Sequence, residues 1–163
     1  MVDQALFSTG NGEHETPDDL FQELNREFNF TLDAAANLSN RKCERYYDLL
    51  KDGLFQPWTG SVFCNPPYGR DVGKWVLKGK TEAAKGALVV MLLPARTDTK
   101  WFHDHIDGQA EIRFIKGRLK FGKAKAGAPF PSMIVIYRPA KTDIQKMRAK
   151  RNIIKSGWKT KEG

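Results

Sequence analysis

A three-layer α/β sheet is the fold class this sequence predicts, and three observations predict it. Strand and helix signals alternate along the chain. One apolar run, Ala87-Leu88-Val89-Val90-Met91-Leu92-Leu93, has no polar face and reads as a central parallel strand covered on both sides. No internal repeat, low-complexity block or compositional break interrupts the 163 residues, so they read as a single domain.

The elements follow in order. Residues 1–15 are polar and glycine-containing and read as a lead-in, mobile over 1–13. Thr16-Pro17-Asp18-Asp19 has the form of a helix start: Thr16 to cap, Pro17 for the first helical position, acids for the positive helix end. Leu20, Phe21, Leu24 and Phe28 then share one helical face. Phe30-Thr31-Leu32-Asp33 reads as a short strand, followed by a small-residue turn, Ala34-Ala35-Ala36-Asn37. Residues 37–60 are irregular, with Asp52-Gly53 and Pro57 as turn signals. Ser61 to Cys64 is a strand, and Val72 to Lys85 a helix with Val72, Trp75 and Val76 buried. Pro94 ends the long apolar strand. Thr97 or Asp98 caps a further helix whose Trp101, Phe102 and Ile106 face inward. Glu111 to Ile115 and Met133 to Tyr137 read as two strands around a basic loop, Lys116 to Ser132. Residues 141–154 fit a final helix within a basic tail, 141–163.

Composition narrows the function classes. Hydrophobic residues at 40% and aromatics at 11% are globular values. No apolar run approaches the roughly 18 residues that cross a bilayer, so no membrane partner is expected. No secretory signal is visible, and two cysteines, Cys43 and Cys64, make neither a disulfide framework nor a zinc set. A reduced, cytoplasmic setting is the expectation. The net charge of +8 is concentrated in the tail and in a cluster from Arg113 to Lys125 that contains no acid. Such patches attract phosphate backbones; a solubilising face has the same composition.

The densest chemistry lies at the tip of the Ser61–Cys64 strand, where Asn65-Pro66-Pro67-Tyr68 follows. Two prolines directly after a strand remove donors and fix φ, which does nothing for fold stability. They do set an amide, two rigid carbonyls and an aromatic ring at one place. An exocyclic adenine amine is a poor nucleophile because its lone pair is delocalised. Two acceptors on its hydrogens, the Asn65 side-chain oxygen and the Pro66 carbonyl, draw the nitrogen toward tetrahedral geometry. They also face the positive charge that develops on alkylation. Tyr68 can stack on the base, which must be flipped or single-stranded to reach it. No metal is needed. His103 and His105 stand on different helix faces and do not form a ligand pair, and Cys64 reads as a small buried residue.

Six segments in order carry a resemblance: Glu15-Thr16-Pro17; Phe28 to Ala35; Asn65-Pro66-Pro67-Tyr68; Leu92-Leu93-Pro94-Ala95-Arg96-Thr97-Asp98-Thr99-Lys100-Trp101; Gly117-Arg118-Leu119-Lys120-Phe121; and Pro129-Phe130-Pro131-Ser132. Over residues 13–139 this resembles the bacteriophage-type (Dam family) DNA N6-adenine methyltransferases, which use S-adenosylmethionine. The resemblance implies a Rossmann-like class I methyltransferase sheet, mostly parallel, with Met133 to Tyr137 as its one antiparallel strand. It implies DNA as partner, a bacterial host cytoplasm as setting, and masking of DNA from host restriction as purpose. Asn65, Pro66, Pro67 and Tyr68 would be catalytic. Thr16 and Pro17 would lie near the methionine end of the cofactor, or serve as the helix cap. Asp33, Ala34 and Ala35 would form the first cofactor turn, Asp33 taking the ammonium directly or through water, or capping the turn. This chain has alanines where related methyltransferases carry glycines. The ribose hydroxyls would fall to Asp48 or Asp52, unless Asp52-Gly53 is only a turn. Arg96, Lys100, Arg118 and Lys120 would meet DNA, and Phe121 and Phe130 would wall the base pocket, intercalate, or belong to the core. With little room for a separate recognition domain, base reading would fall to 37–60, 116–132 and the tail, for a short site or weak specificity. Methylation of RNA adenine or protein glutamine, or nucleic-acid binding without catalysis, are the alternative readings.

Overall fold

A computed structural model of the chain describes residues 14–141. The expected lead-in at 1–13 and the tail beyond 141, with its expected helix, lie outside these residues. Three helices and five strands are present among them: α1 (Asp18–Phe28), β1 (Leu32–Asp33), β2 (Ser61–Cys64), α2 (Val72–Ala84), β3 (Leu88–Pro94), α3 (Lys100–His105), β4 (Glu111–Phe114) and β5 (Ser132–Tyr137).

The strands form one mixed sheet in the order β1-β2-β3-β5-β4. β1, β2 and β3 are parallel. β5 is antiparallel to both of its neighbours, which leaves β4 running with the first three. β5 is thus the one reversed strand, as the family resemblance implies.

Alternation along the strands builds two cores. Val62, Cys64, Val89, Met91, Leu93, Met133, Val135 and Tyr137 point to one face and meet Trp75 and Val76 of α2 and Phe102 of α3. Phe63, Val90, Leu92, Ile134 and Ile136 point to the other and meet Phe21, Leu24 and Phe28 of α1. Helices therefore cover both faces, which is why β3 carries no polar side: all but its first residue is buried.

Four local details differ from the sequence expectation. Thr16 does not cap α1. The N-cap is Pro17, with no side-chain cap bond, because a residue before proline is driven to extended backbone and Thr16 points instead at the β2 tip. β1 is only two residues long; Thr31 still donates its N–H to the Ser61 carbonyl at 2.8 Å. β3 runs through Pro94, which pairs with Ser132 near the sheet end, where the missing donor costs little. Thr99, not Thr97 or Asp98, caps α3, its hydroxyl accepting from the Phe102 N–H.

The shared direction of β1, β2 and β3 brings three carboxyl ends to one edge. Asp33, Asn65 and Ala95 leave the sheet there, where ligands bind in open α/β sheets.

Candidate active site

Asn65 sits at that edge, 5% exposed. Its Nδ2 donates to the Thr16 Oγ1 at 3.0 Å and to the His14 carbonyl. With both amide hydrogens committed, the side chain has one orientation. Its Oδ1 is buried and accepts no hydrogen bond among the described residues. A buried acceptor left alone costs free energy on the order of 1–3 kcal/mol, so such groups are rare in folded chains.

The neighbouring Tyr68 is anchored by its hydroxyl, which donates to the Leu92 carbonyl at 3.2 Å. Burial pushes the Tyr68 phenol far above its ordinary value, so it stays a neutral donor. Its ring belongs to an aromatic group with Phe121 (6.0 Å), Phe130 (5.7 Å) and the His14 imidazole (4.7 Å between centroids). Phe121 is buried in the α1-side core and Phe130 is half-buried, so both have a packing role as well as a place beside Tyr68. Arg96 is exposed and lies over the Phe130 ring at 5.7 Å.

On the other side of the tip lies a cavity of about 460 Å³, lined by Ala35, Ala36, Asp48, Asp52, Pro67 and Trp75, among others. Its lining includes Leu38, Leu49 and Leu50, apolar and exposed. Asp48 and Asp52 both face it. Each also caps its own turn, Asp48 accepting from the Lys51 N–H at 2.9 Å and Asp52 from the Leu54 N–H at 3.1 Å. Asp52 takes the left-handed conformation at φ 52°.

The glycine that the turn after β1 lacks is supplied from across the cavity. A Cβ on Gly53 would stand 2.2 Å from the Ala34 carbonyl oxygen and 3.1 Å from the Trp75 ring. The backbone of 52–54 therefore touches the Ala34 turn directly, and Ala35 and Ala36 keep the wall shallow. Sequence reading registered Gly53 only as a turn residue.

Asp33 is 3% exposed. It accepts from the Lys42 N–H at 3.0 Å and the Ala35 N–H at 3.3 Å, so it does cap its turn. It also borders a hollow of about 10 Å³ shared with Glu15, Thr16, Lys42 and Asn65, room for about one water. Burial raises its carboxyl from 3.8 to about 7, against the pull of those two N–H groups and the Lys42 charge. Between about pH 4 and 7 the folded chain therefore holds a proton that the unfolded chain has released. Stability falls as pH rises through that window. Urea unfolding of the cofactor-free protein from pH 5 to 8 is expected to show this loss, and Asp33→Asn to abolish it; an unchanged slope in the variant would assign the titration elsewhere.

The basic residues divide. Arg113 is taken up structurally, its guanidinium paired with Glu27 at 2.6 and 2.8 Å and with Glu111. Lys116, Arg118, Lys120, Lys123 and Lys125 are exposed, and none pairs with an acid among the described residues. Lys100 lies outside the aromatic group, 3.7 Å from Asp104 on its own helix.

Sequence reading missed the segment 14–16 as a unit, placing His14 and Glu15 in the lead-in. It is a strap. His14 and Thr16 hold Asn65, while the Glu15 carbonyl accepts from the Gly122 N–H at 2.9 Å. The catalytic-type tip and the basic loop are thereby tied together. Only Glu15-Thr16-Pro17 hinted at it. Among the described residues, no cluster of three or more His, Cys, Asp or Glu is placed to hold a metal, and no helix is long and apolar enough to cross a membrane.

Comparison with known proteins adds to this geometry. A family model described as DNA N-6-adenine-methyltransferase (Dam) matches residues 8–160. A DNA N-6-adenine-methyltransferase of Escherichia phage T1 is 33% identical over 69% of this chain and 56% of its own length. One from Haemophilus phage HP1 is 30% identical over 76% of this chain and 77% of its own length. The chain thus spans little more than half of the T1 relative it matches.

Proposed function

Because the chain belongs to the DNA N-6-adenine-methyltransferase (Dam) family, we propose that it transfers a methyl group from S-adenosylmethionine to the N6 amine of adenine in DNA, on a Rossmann-like class I methyltransferase sheet. One observation carries the reading: the Asn65 Oδ1 is buried and accepts no hydrogen bond among the described residues, in a segment whose Pro67 lines a cofactor-sized cavity and whose Tyr68 belongs to an aromatic group.

The residues present fit the cofactor. A cavity of about 460 Å³ is within the range of small-molecule sites, on the order of 300–1,000 Å³. Asp48 or Asp52 holds the ribose hydroxyls, each through the carboxylate oxygen its turn does not use. Ala35, Ala36 and Trp75 give the cavity its apolar wall, with Ala34 behind them at the start of the same turn. Asp33, with Thr16 and Pro17 nearby, receives the ammonium end, through a water where its own hydrogen bonds keep it from direct contact. When bound, S-adenosylmethionine supplies an electrophilic methyl on a sulfonium.

The chain's own residues do the rest. Asn65 Oδ1 and the Pro66 carbonyl accept the two N6 hydrogens and localise the lone pair on nitrogen. Pro66 and Pro67 keep both acceptors from turning away. As nitrogen gains positive charge, these fixed dipoles stabilise it without reorganising. Tyr68 stacks on the base, with Phe121 and Phe130 as side walls. Cys64 takes no covalent part: burial, reinforced by the Asp33 charge, keeps its thiol protonated.

Arg96, Arg118 and Lys120 meet phosphates, and Lys100 extends the same surface. Because half of 37–54 lines the cavity, base reading falls chiefly to 116–132, which favours a short recognition site. The test is an assay with labelled S-adenosylmethionine offered DNA, RNA and protein acceptors together. Label is expected in DNA as N6-methyladenine. Label in RNA or glutamine would transfer the mechanism to that substrate, and cofactor binding without any transfer would defeat it.

A further inference from the structure

The Tyr68 ring, on which a base would stack, is already in contact with another aromatic ring. The His14 imidazole lies 4.7 Å from the Tyr68 ring at 37°, edge-on to Phe121 at 5.2 Å and 5.7 Å from Phe130. An adenine held between Tyr68 and His14 needs room for two ring contacts in succession, each with centroids roughly 4.5 Å apart or more. The two rings are too close for that.

We propose that the His14 ring is a stand-in for the target base: it fills the pocket of the DNA-free protein, and a flipped adenine takes its place. The inference rests on the reading that adenine stacks on Tyr68. The geometry separates two parts of one residue. The His14 carbonyl accepts from Asn65 Nδ2 and orients the amide; the ring fills the space among Tyr68, Phe121 and Phe130. Rotation about the His14 side-chain bonds frees that space without disturbing the carbonyl. Access is then selective, because only a planar ring able to replace the lost contacts with Tyr68, Phe121 and Phe130 displaces the imidazole at small net cost. His14 thus acts as a specificity-determining residue, and its backbone as a positioning group.

The chain has three histidines, so the test is direct. In full-length protein labelled at histidine, the His14 ring proton is expected at high field, shifted by the three surrounding rings and identified by its loss in His14→Ala. Adding oligo-dA moves it toward the position of a free histidine, while oligo-dT does not. His14→Ala is also expected to bind oligo-dA about two- to tenfold more tightly, the equivalent of one aromatic contact no longer to be broken. A His14 signal unmoved by bound oligo-dA, or weaker binding by the variant, would make the ring a fixed wall and overturn the proposal. Methyl transfer by wild-type protein with that outcome would leave the functional reading intact. Absence of both adenine binding and methyl transfer would remove the two together.

Discussion

Asn65→Ala is expected to lower the rate of methyl transfer by about 10²–10³-fold, the loss seen when one fixed dipole is removed from a developing charge. The magnitude follows from placement. Asn65 Oδ1 is buried and held in one orientation from the opposite side by Thr16 and the His14 carbonyl. Its work is therefore done before the reaction begins. Single-turnover transfer of labelled methyl separates this step from binding, and a loss confined to KM would mean that Asn65 only binds. Thr16→Val provides the graded companion. It removes the acceptor at 3.0 Å while Asn65 remains, so the amide can turn, and the rate falls less than in Asn65→Ala. Because Thr16 makes no cap bond to α1, the variant is expected to lose about 1 kcal/mol of stability, one hydrogen bond's worth. Parallel losses of helix content and rate would restore the capping role.

The second large effect is expected at Gly53→Ala. A Cβ there would meet the Ala34 carbonyl oxygen at 2.2 Å, and a backbone atom cannot swing aside as a side chain can. Gly53 is outside the positive-φ group, so the substitution adds only the clash. Overpacking of this kind costs about 1–3 kcal/mol. Here the relief is a shift of the 52–54 backbone or of the Ala34 turn, both of which wall the cavity. S-adenosylmethionine binding is expected to weaken about tenfold or more, since about 1.4 kcal/mol of cavity distortion already suffices for that factor. Calorimetric titration with the cofactor, alongside thermal unfolding, checks it. Unchanged affinity in a destabilised variant would place the cofactor away from this wall.

Much of the fold was legible because period and punctuation agree. The α1 stripe and the run in β3 follow from which residues the sheet must cover; the reversed direction of β5 came from the family resemblance instead. Boundaries slipped where a local rule met a tertiary partner. Thr16 obeys the sequence rule for a cap, but Pro17 holds it extended and Asn65 claims its hydroxyl. Arg113 counts as basic in the sequence, yet Glu27, 86 residues away, pairs with it. In the site, Asn-Pro-Pro-Tyr was legible because its rigidity has no structural use elsewhere. Gly53 and His14 were not. Their meaning lies in what they touch, the Ala34 carbonyl and the Tyr68 ring, and neither contact leaves a pattern along the chain.

The strap at 14–16 has a consequence for spacing. Its residues alternate sides as a strand does, His14 and Thr16 to Asn65, Glu15 to Gly122. Each residue advances the chain by only about 3.3–3.6 Å. One residue inserted or deleted would therefore exchange the two sides, handing Asn65 to the loop-facing position and Gly122 to the tip-facing one. What these three positions must keep is their count: Glu15 engages Gly122 through a carbonyl that any residue supplies, its side chain adding only the Lys42 contact at 4.0 Å, while the distance in chain between His14 and Pro17 cannot change.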